Sequence, residues 1–224
     1  MQEIYTQTQT QSSVSTNKVL KNTYMLLALT MAVSAVACGV AMAIGLGRGA
    51  ALMMNLAAIG MVWFVLPKTA NSASGIYVVF GFTALLGASL GPTISYYLAT
   101  PNGSQVVMQA LAGTALVFFG LSGYVLTTKK DFSFMRGFLV TGLIVVLLCA
   151  VALMVASFFG VQIGGASLAI SAAIVFLMSG FILFDTSRIV NGGETNYVMA
   201  TVSLYLNIYN LFVALLHLIG ASDD

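Results

Sequence analysis

The chain is a succession of long apolar runs separated by short polar breaks, without the polar/apolar alternation over about ten residues that a membrane strand shows. An α-helix needs about 20 predominantly apolar residues to cross ~30 Å of hydrocarbon. Runs of that order, bounded by charge, proline or glycine-rich turns, fall at roughly Thr23–Leu46, Ala50–Leu66, Gly75–Leu98, Ser104–Thr127, Met135–Phe159, Ile163–Val190 and Tyr197–Ile219. The pattern predicts an all-α integral membrane protein, a bundle of seven transmembrane helices. The second run is short, and the sixth is long only if its polar end belongs to the same helix.

Composition agrees with the pattern. Eight basic and six acidic residues in a chain of 224 that is 59% hydrophobic could not cover the surface of a soluble domain this size. The net charge of +2 is spread without a basic patch, which argues against nucleic acid as a partner. Where the charges fall is more informative. A cytoplasmic N-terminus puts Lys18, Lys21, Lys68, Lys129, Lys130, Arg136 and Arg188 on the inner side and leaves Arg48 alone outside. With an odd number of spans, Asp223 and Asp224 then face the opposite compartment, the periplasm in a Gram-negative bacterium. Cys38 and Cys149 sit mid-run, as small buried hydrophobes rather than a disulfide framework. Residues 1–17, rich in Gln, Thr and Ser, are too polar to bury an apolar face and are expected to form a disordered cytoplasmic tail.

Glycines inside the runs, Gly87 and Gly91 in GxxxG spacing among them, predict close helix–helix contact, and Pro92 a kink in the third span. An acid in hydrocarbon is costly, so Asp185 is the most informative polar residue. Arg188 lies three residues on and shares its helical face. Two readings stand: an interfacial ion pair that anchors the helix, or part of an ion or proton pathway. In the last run Asn196, Ser203, Asn207, Asn210 and His217 recur at spacings that fit one helical face, with Ala200 and Ala214 on the same stripe. The stripe places this helix among the others, with its amides bonding across the bundle; a water-lined cavity is the functional alternative.

Gly120-Leu121-Ser122-Gly123 has the GxSG form of rhomboid intramembrane proteases, with His217 available as a base. The predicted topology separates the two residues in depth by roughly 20 Å at 1.5 Å rise per residue, so the pair cannot react. One histidine, few acids, and no HExxH, Walker loop, nucleophile elbow or Cys/His cluster predict no catalytic residue, metal or cofactor.

The segments Phe184-Asp185-Thr186-Ser187-Arg188-Ile189, Gly192-Gly193-Glu194-Thr195-Asn196-Tyr197 and Ser203-Leu204-Tyr205-Leu206-Asn207-Ile208-Tyr209-Asn210-Leu211-Phe212 resemble the signature of the Bax-inhibitor (transmembrane Bax inhibitor motif) family. Lys18-Val19-Leu20-Lys21-Asn22-Thr23-Tyr24, Lys68-Thr69-Ala70-Asn71, Thr114-Ala115-Leu116-Val117-Phe118-Phe119 and Tyr124-Val125-Leu126-Thr127-Thr128 look particularly like its bacterial branch. The likeness covers the whole chain. It implies a seven-helix bundle with the last helix central, in a bacterial inner membrane. It also implies two functions. The bacterial branch is associated with FtsH, a membrane-anchored AAA protease, as a substrate and modulator. Other members look like pH-sensitive calcium leak channels gated by a pair of acids on the last two helices. Here the first acid matches Asp185 but the second position is Asn207, an amide that neither titrates nor attracts a divalent cation.

Overall fold

A computed structural model describes the backbone of residues 2–160 and 164–221, with side chains from Thr16 onward. Seven helices are long and apolar enough to cross a membrane, and no strand occurs among the described residues. They are α1 (Gln2–Ala43, apolar from Thr16), α2 (Arg48–Thr69), α3 (Ser74–Leu98), α4 (Gly103–Thr128), α5 (Ser133–Phe158), α6 (Gly164–Val190) and α7 (Tyr197–Ala221). Ile163, the expected start of the sixth span, and the terminal Asp223 and Asp224 lie outside the described residues.

Three boundaries differ from expectation, each for a local reason. The backbone of α1 begins at Gln2, where composition predicts an unfolded tail. A helix already nucleated in an apolar span extends at one hydrogen bond per added residue, so polar composition alone does not stop it. At its other end α1 closes through Gly45, whose φ of 64° lets Leu46 N–H reach Ala41 O at 2.9 Å and Gly45 N–H reach Met42 O at 3.1 Å. Helix α2 continues past its apolar run because Pro67 falls in the first turn of a fresh segment, Leu66–Thr69, where a missing N–H costs little. The residues before it, Met61–Val65, form a widened π-type turn. Such a turn accommodates the clash between a proline ring and the carbonyl four residues earlier. Helix α3 is continuous through Pro92, without a break there.

The chain divides into two compact units. The first runs to Pro101 and takes in Gly192–Tyr205; the second takes in Asn102–Asn191 and the chain from Leu206 on. Helix α7 therefore belongs to both, changing unit between Tyr205 and Leu206.

In the first unit α1 and α3 make the most extensive contact. A methyl group on Gly87 would stand 2.6 Å from Ser34 Cα, and one on Gly91 2.7 Å from Ala41 Cβ, so two glycines one turn apart let the helices meet at backbone distance. At this seam the fully buried Tyr205 shares a 2.6 Å hydrogen bond with Ser34 Oγ, donates to Thr83 O at 3.3 Å and meets Phe82 edge to face. Thr201 Oγ1 donates to Thr23 O at 3.3 Å, tying the first part of α7 to α1. In the second unit α6 packs on both α4 and α5. Leu177 of α6 lies over Gly142 of α5, and Leu139 of α5 over Gly180 of α6, each leucine filling the space the glycine leaves.

In the apolar 18-residue stretches of α3 and α7 44% of the residues are buried, and in that of α5 11%. Helix α3 is thus as enclosed as α7. Helix α5 instead presents Phe138, Ile144, Leu148 and Phe158 outward, an apolar face that suits lipid.

Candidate functional site

Successive residues of an α-helix point about 100° apart, so three consecutive polar residues can hold three neighbours. Asp185, Thr186 and Ser187 of α6 do so, entirely within the second unit. Asn207 Nδ2 of α7 donates to Asp185 Oδ2 at 2.7 Å. Thr186 Oγ1 lies 3.3 Å from Ser122 Oγ of α4. Ser187 Oγ accepts the N–H of Phe132, in the α4–α5 loop, at 3.2 Å and donates to Phe184 O at 2.9 Å. Thr186 and Ser187 are fully buried, Asn207 is buried and Asp185 half-buried. Arg188, one residue further, sets its guanidinium 5.7 Å from the Phe184 ring centroid.

An amide facing a carboxylate is a donor whose protonation does not change with pH. The contact therefore holds α6 to α7 without the proton sharing that two acids in this position would show.

The members of the polar stripe on α7 have different partners. Asn196 stands outside the span as the N-cap of α7: its Oδ1 accepts Val198 N–H at 2.9 Å and Met199 N–H at 3.1 Å. Its Nδ2 donates to Ala70 O at 3.0 Å and to Asn71 Oδ1 at 2.8 Å, and its own N–H reaches Glu194 Oε1 at 3.0 Å. Asparagine is favoured at this position because its side chain satisfies N–H groups that have no partner inside the helix. Asn196 therefore pins the start of α7 to the α2–α3 loop, within the first unit. Ser203 is half-buried. Asn210 is exposed and donates back to Leu206 O at 2.8 Å in its own helix.

His217, also exposed, bonds across to α6 with Nδ1 2.8 Å from Ser171 Oγ, which also lies 3.1 Å from Ser167 O. One hydroxyl proton cannot serve both contacts. When it goes to Ser167 O, the imidazole must carry a proton on Nδ1. Ser122 and His217 thus engage Thr186 and Ser171 respectively, so the serine–histidine dyad that GxSG suggested is not formed. Asn207 and His217 are the stripe members that reach another helix, and Asn207 alone among the two meets an acid.

The hydroxyl contacts of Thr186, Ser187 and Tyr205 are not legible from the spacing of polar residues. Ser122 belongs to the GxSG segment, and Thr186, Ser187 and Tyr205 lie within the segments that resemble the family signature. Among the described residues no group of three or more His, Cys, Asp or Glu is placed to hold a metal ion.

The chain has relatives along nearly its whole length. A family model described as "Inhibitor of apoptosis-promoting Bax1" matches residues 16–224. A membrane protein of Vibrio cholerae is 53% identical over 212 residues, 95% of this chain and 93% of the relative. The Escherichia coli protein named "Modulator of FtsH protease YccA" is 48% identical over 214 residues, 95% of this chain and 94% of the relative. Its counterpart in a second Escherichia coli strain, named "Inner membrane protein YccA", shows the same identity and coverage. The chain belongs to the Bax-inhibitor family, in its YccA-like bacterial branch.

Proposed function

We propose that this chain is an inner-membrane modulator of an FtsH-type AAA protease, with its N-terminus in the cytoplasm, its C-terminus in the periplasm and no chemistry of its own. The observation that carries the reading is the near full-length similarity to a protein named as a modulator of that protease. The seven basic residues against Arg48 support the orientation, since cytoplasmic ends of spans collect Lys and Arg. The packing supports the mode of action. Within each unit helices meet at glycines, Gly87 and Gly91 in one, Gly142 and Gly180 in the other, and such seams resist separation.

A protease that pulls on the polar N-terminal segment, residues 1–17, would meet a chain that yields slowly and would stay occupied with it. The Bax-inhibitor theme of a calcium leak fits less well: Asn207 stands where a second acid would be and offers Asp185 an N–H rather than a charge.

Capture of FtsH from solubilised membranes tests the role assigned to the tail. The full-length chain should retain the protease, and a form lacking residues 1–17 should retain at least about fivefold less, a modest ~1 kcal/mol of lost affinity. Equal recovery by both forms would remove the tail from the mechanism.

A further inference from the structure

We propose that the α4–α5 loop is a binding site for the headgroup of an anionic phospholipid, held by Lys129, Lys130 and Arg136 with Phe134 among the acyl chains. Helices α4 and α5 are each 26 residues long, roughly 39 Å at 1.5 Å per residue, and exceed the ~30 Å of hydrocarbon. The four residues that join them, Lys129 to Phe132, therefore sit at headgroup depth, and Arg136 lies in the first turn of α5 beside them. Lys129, Lys130 and Arg136 are all exposed, and with Asp131 they leave the loop at +2. That is the sign that attracts an anionic leaflet.

The loop is built rather than loose. Lys129 closes α4 in the left-handed region at φ 52°, its N–H on Val125 O at 2.8 Å. Asp131 turns inward on its own chain, Oδ1 accepting Ser133 N–H at 2.8 Å, and that bond holds its carboxyl below the usual carboxylate range. Lys130 Nζ donates to Tyr124 OH at 3.0 Å and lies 5.6 Å from the ring centroid, a contact that raises its pKa and keeps it charged. Two of its ammonium protons remain for a phosphate. Phe132 N–H on Ser187 Oγ ties the turn to α6, two residues from Asp185.

The aromatic side chains indicate lipid in place of a soluble anion. Tyr124, Phe132 and Phe134 follow one another with centroids 6.3 and 6.2 Å apart, Phe134 is 79% exposed, and Phe138 is 59% exposed one turn on. Exposed phenylalanines directly beside cations are costly in water and favourable where headgroups meet acyl chains. A free phosphate would gain nothing from them.

The full-length chain carries a single tryptophan, Trp63, so Trp63→Phe with Phe134→Trp leaves one indole, at the loop. In phosphatidylcholine vesicles, brominated phosphatidylglycerol should quench that indole at about tenfold lower mole fraction than brominated phosphatidylcholine, equivalent to ~1.4 kcal/mol. The preference should fade with added salt and vanish in Lys129→Gln/Lys130→Gln/Arg136→Gln, while millimolar inorganic phosphate leaves it intact. Equal quenching by the two lipids, before any basic residue is changed, overturns the proposal. So does a preference that survives the triple substitution, or one that inorganic phosphate abolishes.

Discussion

Gly87→Ala should destabilise the protein by about 2 kcal/mol, although alanine is the better helix former by about 1 kcal/mol. The added methyl would meet the backbone carbonyl of Ser34 and stand 2.6 Å from its Cα, and backbone, unlike the nearby Ser34 hydroxyl, cannot swing aside. Helices α1 and α3 would have to separate, which stretches the 2.6 Å bond between Ser34 and Tyr205 and draws on contacts along the whole seam. Gly39, on α1 itself, is the control: nothing lies within 4 Å of a methyl group placed there. Gly39→Ala should leave stability unchanged or slightly raised. Reversible SDS unfolding of the purified variants measures both. A loss of similar size at the two positions would mean that backbone contact at the α1–α3 seam does not set stability.

Asn207→Leu should cost a similar amount, about 2 kcal/mol, by a different route. The substitution keeps the side chain's bulk and removes the amide that donates to Asp185 at 2.7 Å. Interhelical hydrogen bonds in membranes average well under 1 kcal/mol, but donors to a charged group reach about 1.5–3 kcal/mol. With an ionised Asp185 as the acceptor, the larger figure applies. Asn207→Asp is the informative companion. Two carboxylates at this distance share a proton, so its stability should acquire a pH dependence that the amide does not give. Asn207→Leu at full stability, or a flat pH profile for Asn207→Asp, would show that the α6–α7 contact matters little.

These contacts were legible in the sequence to unequal degrees. The seven spans follow from run length, because a helix in hydrocarbon has one thickness to match. Gly87 and Gly91 were legible from spacing, since small residues one turn apart have one common use in lipid. The meeting of Asp185 and Asn207 came from family resemblance; spacing alone placed each on its own helix. Asn196 keeps the heptad register of Ser203 although it lies before the start of α7, because periodicity does not mark where a helix begins. Its residue type, favoured at N-caps, was the better guide.

The burial of α3 was not legible. A helix that is apolar all round reads the same against lipid and against protein. Nor were the hydroxyl contacts. Serines and threonines in spans commonly bond back to their own helix, as Thr30 does to Leu27 O and Thr114 to Ala110 O. Nothing local distinguishes these from Ser34 or Thr186, which reach across.

The modulator reading is tested most directly by turnover in proteoliposomes that contain FtsH and a second membrane substrate. Adding the full-length chain at equal amount to that substrate should slow the substrate's degradation at least about threefold, on the order of 0.7 kcal/mol in apparent competition. The form without residues 1–17 should restore most of the rate. Unchanged degradation at saturating amounts of the full-length chain would contradict the account.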